Sequence, residues 1–264
     1  MKLKIGIFDS GIGGFTILNS LLKIRKDVEV FYLADVKRIP YGNKNYLEIR
    51  NIAKEICNFF ADKNLDALII ACNTTNACAL DILENSLKTP CFDLINSVSE
   101  MVDKQIIGVL ATETTVKSSY YKKAISFKNK NLKIFQQECP EFVSEIEKEK
   151  LNFKKLNFLS DLYLDSLLKQ NIQELILGCS HYPLIYDLLR NKVNLDIKII
   201  DPSTASIRKF NECFEVPKIA RSKCISYESV KFFVTSNEKE FSKKVKFWLG
   251  IDKEIKLVNL RSNV

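Results

Sequence analysis

The chain reads as an α/β protein of two similar domains, each a mostly parallel sheet flanked by helices, and three observations predict it. Short apolar runs alternate with longer amphipathic stretches, which is the rhythm of βαβ units. Segments of the first half also recur in order in the second. Leu-Ile-Ile-Ala-Cys at 68–72 returns as Leu-Ile-Leu-Gly-Cys at 175–179, Ile-Gly-Ile-Phe at 5–8 as Ile-Gly-Val-Leu at 107–110, and Glu-Val-Phe at 29–31 as Lys-Ile-Phe at 133–135. The offsets of 107, 102 and 104 residues are nearly one offset, as a duplication requires. Finally, 264 residues with 46% hydrophobic and 27% charged side chains suit a globular chain of about two domains.

Taken in order, the apolar runs predict strands at Leu3–Phe8, Val28–Ala34, Ala67–Ala71, Cys91–Ile95, Gln105–Ala111, Leu132–Gln137, Glu174–Leu177 and Ile197–Ile200, with a late pair at Val230–Thr235 and Ile255–Asn259. Helical patterns fall at Phe15–Ile24, Leu47–Lys63, Ala77–Leu87, Phe158–Gln170, Tyr182–Asn191 and Glu238–Leu249. The second is the clearest, because Leu47, Ile49, Ile52, Ala53, Ile56, Phe59 and Phe60 recur at roughly helical spacing. The charge-rich stretch from Glu141 to Lys155 fits a loop or an exposed helix. The first domain is expected to take residues 1–95 and to be completed by the tail 207–264, with 96–206 inserted as the second domain.

Composition narrows the function. The net charge of +8 raises nucleic acid as a partner, but only seven of the forty basic residues are Arg and the lysines are spread along the chain. Lys is the poorer reader of base edges and phosphate forks, so a solvated surface explains the charge and no nucleic acid is required. Eight cysteines with no Cys-x-x-Cys, beside a single histidine, argue against a zinc site, and no metal is expected. The longest apolar runs are about six residues, far short of a membrane span, and the N-terminus carries no signal-peptide pattern. A soluble, cytoplasmic protein with reduced cysteines is the expectation.

Ligands of open α/β sheets bind outside the carboxyl ends of the strands, and polar residues follow the strands there. Asp9-Ser10-Gly11-Ile12-Gly13-Gly14 follows the first, Asp35 and then Pro40-Tyr41-Gly42 the second, Cys72-Asn73-Thr74-Thr75 the third, and Cys179-Ser180-His181-Tyr182-Pro183 the seventh. The Pro-Tyr-Gly turn is expected to expose a hydroxyl and backbone amides. A lone cysteine at a strand end is ordinarily packing. Two of them, at equivalent ends of duplicated halves, suit inversion of a stereocentre: one thiolate removes a proton from one face while the opposite thiol delivers a proton to the other. A free thiol, with its pKa near about 8.5, needs a neighbour to manage its proton. Asp9 is the candidate beside Cys72, and His181 beside Cys179.

The segments Ile-Gly-Ile-Phe-Asp-Ser-Gly-Ile-Gly-Gly, Ile-Pro-Tyr-Gly, Ala-Cys-Asn-Thr and Leu-Gly-Cys-Ser-His-Tyr-Pro-Leu resemble those of the glutamate racemases, in the cofactor-independent aspartate/glutamate racemase superfamily. The likeness runs from residue 3 to about 205 and weakens after about 207. It implies a pseudo-symmetric pair of domains with the active site in the cleft between them. It also implies interconversion of L- and D-glutamate without pyridoxal phosphate or any other cofactor, supplying D-glutamate for peptidoglycan, in an enzyme that is commonly a homodimer. By the same likeness Cys72 and Cys179 are the acid/base catalysts, supported by Asp9, His181 and Glu147. Substrate-contacting positions fall on Asp9, Ser10, Tyr41, Gly42, Asn73, Thr74, Ser180 and His181, and on Thr112 and Thr115 of Ala-Thr-Glu-Thr-Thr-Val. Ser180 stands where the family usually has Thr, and Thr75 and Asn76 replace smaller residues.

Two sulfurs within reach of one Cα from opposite faces must lie roughly 6–8 Å apart, so these cysteines are expected to be unpaired. Other readings are a racemase for aspartate or another acidic amino acid, a cysteine hydrolase using Cys179 and His181, and a Lys-rich nucleic-acid-binding module. The hydrolase leaves Cys72 and the repeat unexplained.

Overall fold

The computed structural model describes residues 2–216 and 225–260. The rest of the predicted tail, at 217–224 and 261–264, lies outside the described residues.

Among the described residues, ten strands form two all-parallel sheets. The first contains β1 (Leu3–Asp9), β2 (Val28–Ala34), β3 (Ala67–Ile70), β4 (Cys91–Phe92), β9 (Val230–Val234) and β10 (Ile255–Leu257), in the order β10-β9-β2-β1-β3-β4. The second contains β5 (Ile106–Ala111), β6 (Lys133–Glu138), β7 (Glu174–Gly178) and β8 (Lys198–Ile200), in the order β6-β5-β7-β8. The run β2-β1-β3-β4 therefore repeats as β6-β5-β7-β8, strand for strand, and the sequence echoes are equivalent strands. The two strands from the tail extend the first sheet alone, beyond β2.

Central strands are apolar on both faces because helices cover both. In β1, Ile5 and Ile7 enter one core while Phe8 enters the other, with Leu68 and Ile70 of β3. The helices are α1 (Phe15–Ile24), α2 (Tyr46–Ala61), α3 (Asn73–Ser86), α4 (Ile95–Ser99), α5 (Glu113–Ser118), α6 (Tyr120–Lys128), α7 (Phe142–Ile146), α8 (Phe153–Leu168), α9 (Tyr186–Arg190), α10 (Pro202–Cys213) and α11 (Glu238–Leu249). A capping box fixes the start of α2, the Asn45 side chain accepting from the Glu48 amide while Glu48 accepts from the Asn45 amide. None of the described helices is long and apolar enough to cross a membrane.

The structure departs from the sequence reading where side chains, and not periodicity, set the boundary. Helix α3 begins at Asn73, four residues before the predicted start. The Asn76 amide there donates to the carbonyls of Ile70 and Cys72, tying the first turn to the end of β3. The charged 141–155 stretch divides into α7, a short connection and the start of α8, whose first turn the Asn152 side chain caps. Helices α4, α5, α6 and α10 carry no long periodic run and escape the sequence pattern. The predicted helix at 182–191 is a short 3-10 turn, Tyr182–Ile185, followed by α9.

An aromatic cluster sets the geometry near the site. Phe15, at the head of α1, packs against Tyr32 of β2 at 5.4 Å and Phe241 of α11 at 5.6 Å between ring centroids. The buried Tyr32 hydroxyl donates to the Gly11 carbonyl at 2.9 Å. One cluster thus anchors both the glycine-rich loop after β1 and the C-terminal helix α11.

Candidate active site

The carboxyl ends of β1 and β3 in the first sheet meet those of β5 and β7 in the second. Cys72 and Cys179 follow β3 and β7 at equivalent places, and both are free thiols. Asp9, Cys72, Cys179 and His181 are all at most 5% exposed, so the site is closed. Hydrogen bonds cross between the two units to hold it so. Ser180 donates to Asp9 Oδ2 at 2.8 Å, the Ile12 amide donates to Glu147 Oε1 at 2.9 Å, and the Thr74 and Thr112 hydroxyls meet at 3.0 Å.

Close approach of two backbones explains the glycines of the first loop. A Cβ on Gly13 would lie 2.3 Å from Ser180 Oγ and 2.8 Å from the His181 amide nitrogen. A Cβ on Gly11 would lie 2.0 Å from Glu147 Oε1. Only glycine lets this loop seat against the Cys179 segment.

The surroundings of the two thiols differ. Cys72 caps α3, with the Thr75 amide and hydroxyl beside its sulfur. Burial, and then the nearby Asp9 charge, push its pKa up to about 12, with smaller opposition from Thr75. Both influences favour the thiol form of Cys72. Asp9 is itself raised, chiefly by burial, against the opposing pull of His181, the Gly11 amide and Ser180.

Cys179 Sγ lies 3.8 Å from His181 Nδ1, and His181 Nε2 lies 2.7 Å from Glu147 Oε1. Burial opposes a charge on His181, but the contacts with Cys179 and Glu147 overcome it and raise its pKa well above the usual value. An imidazolium donates from both nitrogens, Nδ1 toward sulfur and Nε2 toward carboxylate. Glu147 is buried too, yet His181, Lys244 and the Ile12 amide draw its pKa down to about 2. Lys244 of α11 reaches Glu147 Oε2 at 2.9 Å.

The residues that follow Cys72 and β5 supply polar groups suited to a carboxylate. Thr74, Thr112 and Thr115 form a triangle of hydroxyls, with Thr112 to Thr115 at 2.9 Å and Thr115 to Thr74 at 3.3 Å. Tyr121 donates to Asn73 Oδ1 at 2.6 Å, which turns the Asn73 amide; its buried Nδ2 has no partner. A buried unpaired donor costs about 1–3 kcal/mol and marks a place for an acceptor.

The structure links Asp9, Ser180, His181, Cys179 and Glu147 in one hydrogen-bonded network, joins Thr74, Thr112 and Thr115 in a second and pairs Asn73 with Tyr121, with Cys72 near Asp9. Ser10 is buried at the head of the same loop, and Gly42 packs on Thr112. Tyr41 is the correction. Its hydroxyl is not exposed but buried, and it donates to Asp35, which also takes Arg38 at 2.6 Å and Thr235 at 2.7 Å. Bulk explains this: an aromatic ring between β-strand ends packs inward, against Phe8, and its hydroxyl must find a buried acceptor. The phenol anchors the turn, whose Gly42 packs on Thr112 and accepts from the Thr114 hydroxyl at 2.9 Å. Sequence reasoning missed Tyr121 and Lys244, which no local motif marks; Thr75, three residues after a cysteine that opens a helix, carried a readable signal.

With this geometry in hand, the relatives are informative. Residues 17–210 match the family described as Asp/Glu/Hydantoin racemase. The chain is 44% identical to a glutamate racemase of Prochlorococcus marinus (strain NATL1A) over 260 residues, 98% of each chain. Its fold superimposes on a glutamate racemase of Bacillus anthracis with a TM-score of 0.88 at 27% identity, covering 98% of both chains. The glutamate racemase of Francisella tularensis, solved in complex with D-glutamate, gives 0.87 at 33% identity and the same coverage. Matched over nearly its whole length, this chain belongs to the glutamate racemases of the Asp/Glu/Hydantoin racemase family.

Proposed function

We propose that this protein interconverts L- and D-glutamate by proton transfer at Cα between two thiols, and that it supplies D-glutamate for peptidoglycan. The observation that carries the reading is the placement of two free cysteines at equivalent strand ends of duplicated sheets, facing one closed site. In one direction a Cys72 thiolate takes the α-proton and becomes a thiol, while the Cys179 thiol gives its proton to the opposite face and becomes a thiolate. The reverse direction exchanges the roles. Atoms and charge balance, and no cofactor takes part.

The substrate is an anion, and the lining supplies donors for it. The unpaired Asn73 Nδ2 and the threonine hydroxyls suit a carboxylate, with Ser10, the Tyr41–Gly42 turn, Ser180 and His181 completing the contacts. Asp9 manages the proton of Cys72, and His181, held by Glu147, that of Cys179. Because Asp9, Cys72, Cys179 and His181 are all at most 5% exposed, substrate entry requires the two units to part. The units proposed are residues 1–95 with 207–264, and 96–206, the chain passing back to the first unit within α10. The enzyme is read as a cytoplasmic homodimer, which sedimentation at working concentration tests; a single-chain mass would overturn it.

The deciding experiment is proton NMR and circular dichroism with L-glutamate in deuterated water, without pyridoxal phosphate, for wild type, Cys72→Ala and Cys179→Ala. Loss of optical activity with deuterium entering at Cα, abolished in both variants, is the expected result. Folded, reduced wild type giving neither signal would overturn the reading. The same assay on aspartate distinguishes a racemase of that amino acid.

A further inference from the structure

Helix α11 carries several lysines, and one of them behaves unlike the others. Lys243 and Lys246 are 64% and 67% exposed and pair with exposed carboxylates, Glu149 and Asp252. Such pairs are worth little. Lys244 is 13% exposed and pairs with Glu147, itself 10% exposed, at 2.9 Å; Glu240, one turn back, flanks it at 3.3 Å. Phe241, three residues earlier, is buried against Phe15 and Tyr32, so α11 is fixed by the same cluster that holds the glycine-rich loop.

Every hydrogen-bonding oxygen of Glu147 is therefore committed. Oε1 accepts from the Ile12 amide and from His181 Nε2, and Oε2 accepts from Lys244. Ile12 and Lys244 belong to elements of the first sheet's unit, whereas Glu147 and His181 belong to those of the second. A carboxylate rotating about its terminal torsion has broad minima, so one oxygen is fixed only when the other is also held.

We propose that Lys244 is a positioning residue for the Cys179 half of the reaction: it holds Glu147 in the rotamer that seats His181 against the sulfur, and it does so only when the two units are closed. The proposal rests on the two-thiol reading above, but it assigns a residue outside the family motifs. Lys244 touches neither substrate nor sulfur; it acts through Glu147 and then His181. Closure of the site and assembly of its proton-handling group on this side are thereby one event. On the Cys72 side, the contact from the opposite unit is the Ser180 hydroxyl donating to Asp9 Oδ2, with no charged side chain among the described residues in the place Lys244 takes.

The test uses Lys244→Met, which keeps the buried stem, and Lys244→Arg, which keeps the charge. In Lys244→Met, kcat/KM is expected to fall about tenfold, the loss of one charge-assisted contact, and equally in both directions because the equilibrium constant is fixed. The primary deuterium isotope effect on kcat/KM is expected to rise for the enantiomer whose α-proton Cys179 removes and to fall for the other. A merely structural lysine would change both alike. Lys244→Arg should restore both quantities. His181 is the single histidine of the chain, so its imidazole 15N shifts, read through the carbon-bound ring protons, need no assignment. They should move in Lys244→Met and return in Lys244→Arg. Folded Lys244→Met with unchanged imidazole shifts would overturn the proposal, as would isotope effects that stay the same. If wild type proved not to racemise glutamate, the functional reading would fail there, and the imidazole shifts would still decide whether Lys244 acts on His181.

Discussion

The two cysteine sites share a backbone plan and differ in the groups that handle each thiol's proton, although Ser180 lies between them, donating to Asp9 and 3.4 Å from His181 Nδ1. Cys72 ends a strand, caps the fourteen-residue α3 and sits beside an acid, in surroundings that hold it as a thiol with a pKa near about 12. Cys179 ends the equivalent strand, but a 3-10 turn follows, and its neighbour is a histidine whose pKa Cys179 and Glu147 raise, with Lys244 on the other oxygen of that glutamate. Duplication thus supplied symmetric placement, and later divergence supplied asymmetric proton handling. A racemase must treat two mirror-image substrates equally at equilibrium, yet nothing requires it to use the same chemistry on both faces. One side relies on burial and an acid, the other on a histidine held by a glutamate, and contacts from the opposite unit reach both.

The sharpest break of this comparison is expected from Asp9→Asn set against His181→Asn. Each removes a general acid–base partner and should lower kcat by about 100-fold or more. Their isotope effects should rise for opposite enantiomers; a rise on the same enantiomer in both would mean that the two sides are not separate.

Gly13→Ala comes next. The added methyl meets the His181 amide, backbone that cannot swing aside. Overpacking costs of about 1–3 kcal/mol, charged to the closed state, should reduce kcat/KM about 10- to 100-fold with little change in thermal stability of the separate units. Steady-state kinetics beside a melting curve checks this.

Glu147→Gln tests the network through pH. The native pKa of Glu147 lies near about 2, below the ordinary glutamate value of 4.5, so its contribution to stability is full above 4.5 and is lost as pH falls toward 2. The variant should be less stable than wild type at pH 6, and the gap should narrow in denaturant titrations repeated at successively lower pH. His181 works in the opposite sense. Its native pKa is raised, so its contribution is full below the unfolded value and fades as pH rises through the native one.

Smaller effects are expected from the lining. Thr115→Val removes one hydroxyl of the threonine triangle and should raise KM about tenfold for both enantiomers alike, since it favours neither face. Tyr41→Phe should be milder still, costing about 1 kcal/mol of stability through the lost contact with Asp35 and leaving activity within about twofold. A large loss of activity in Tyr41→Phe would restore the phenol to the substrate contacts.

Much of the site was legible in the sequence because its parts are local. Asp9, Cys72 and Cys179 end apolar strands, and chain continuity alone puts Asn73, Thr74, Ser180 and His181 next to them. Glu147 was harder to place. It lies 34 residues before His181 in a stretch of Glu and Lys that has the pattern of a solvated surface. Tyr41 was misread because a hydroxyl in a Pro-Tyr-Gly turn gives no sign of which side its ring packs on.

By itself, then, the sequence determined the βαβ rhythm, the duplicated halves and the pair of strand-end cysteines, because period, apolar runs and repeated segments are properties of neighbouring residues. Tertiary structure alone decided which distant charges complete the site. Lys244 meets Glu147 across 97 positions because an aromatic cluster sets the position of α11 and glycine lets the β1 loop approach the Cys179 segment. A lysine on an amphipathic helix carries the same local pattern whether it faces water or a buried carboxylate. Only the packing that removes it from water distinguishes the two, and that packing is set by residues far away in the chain.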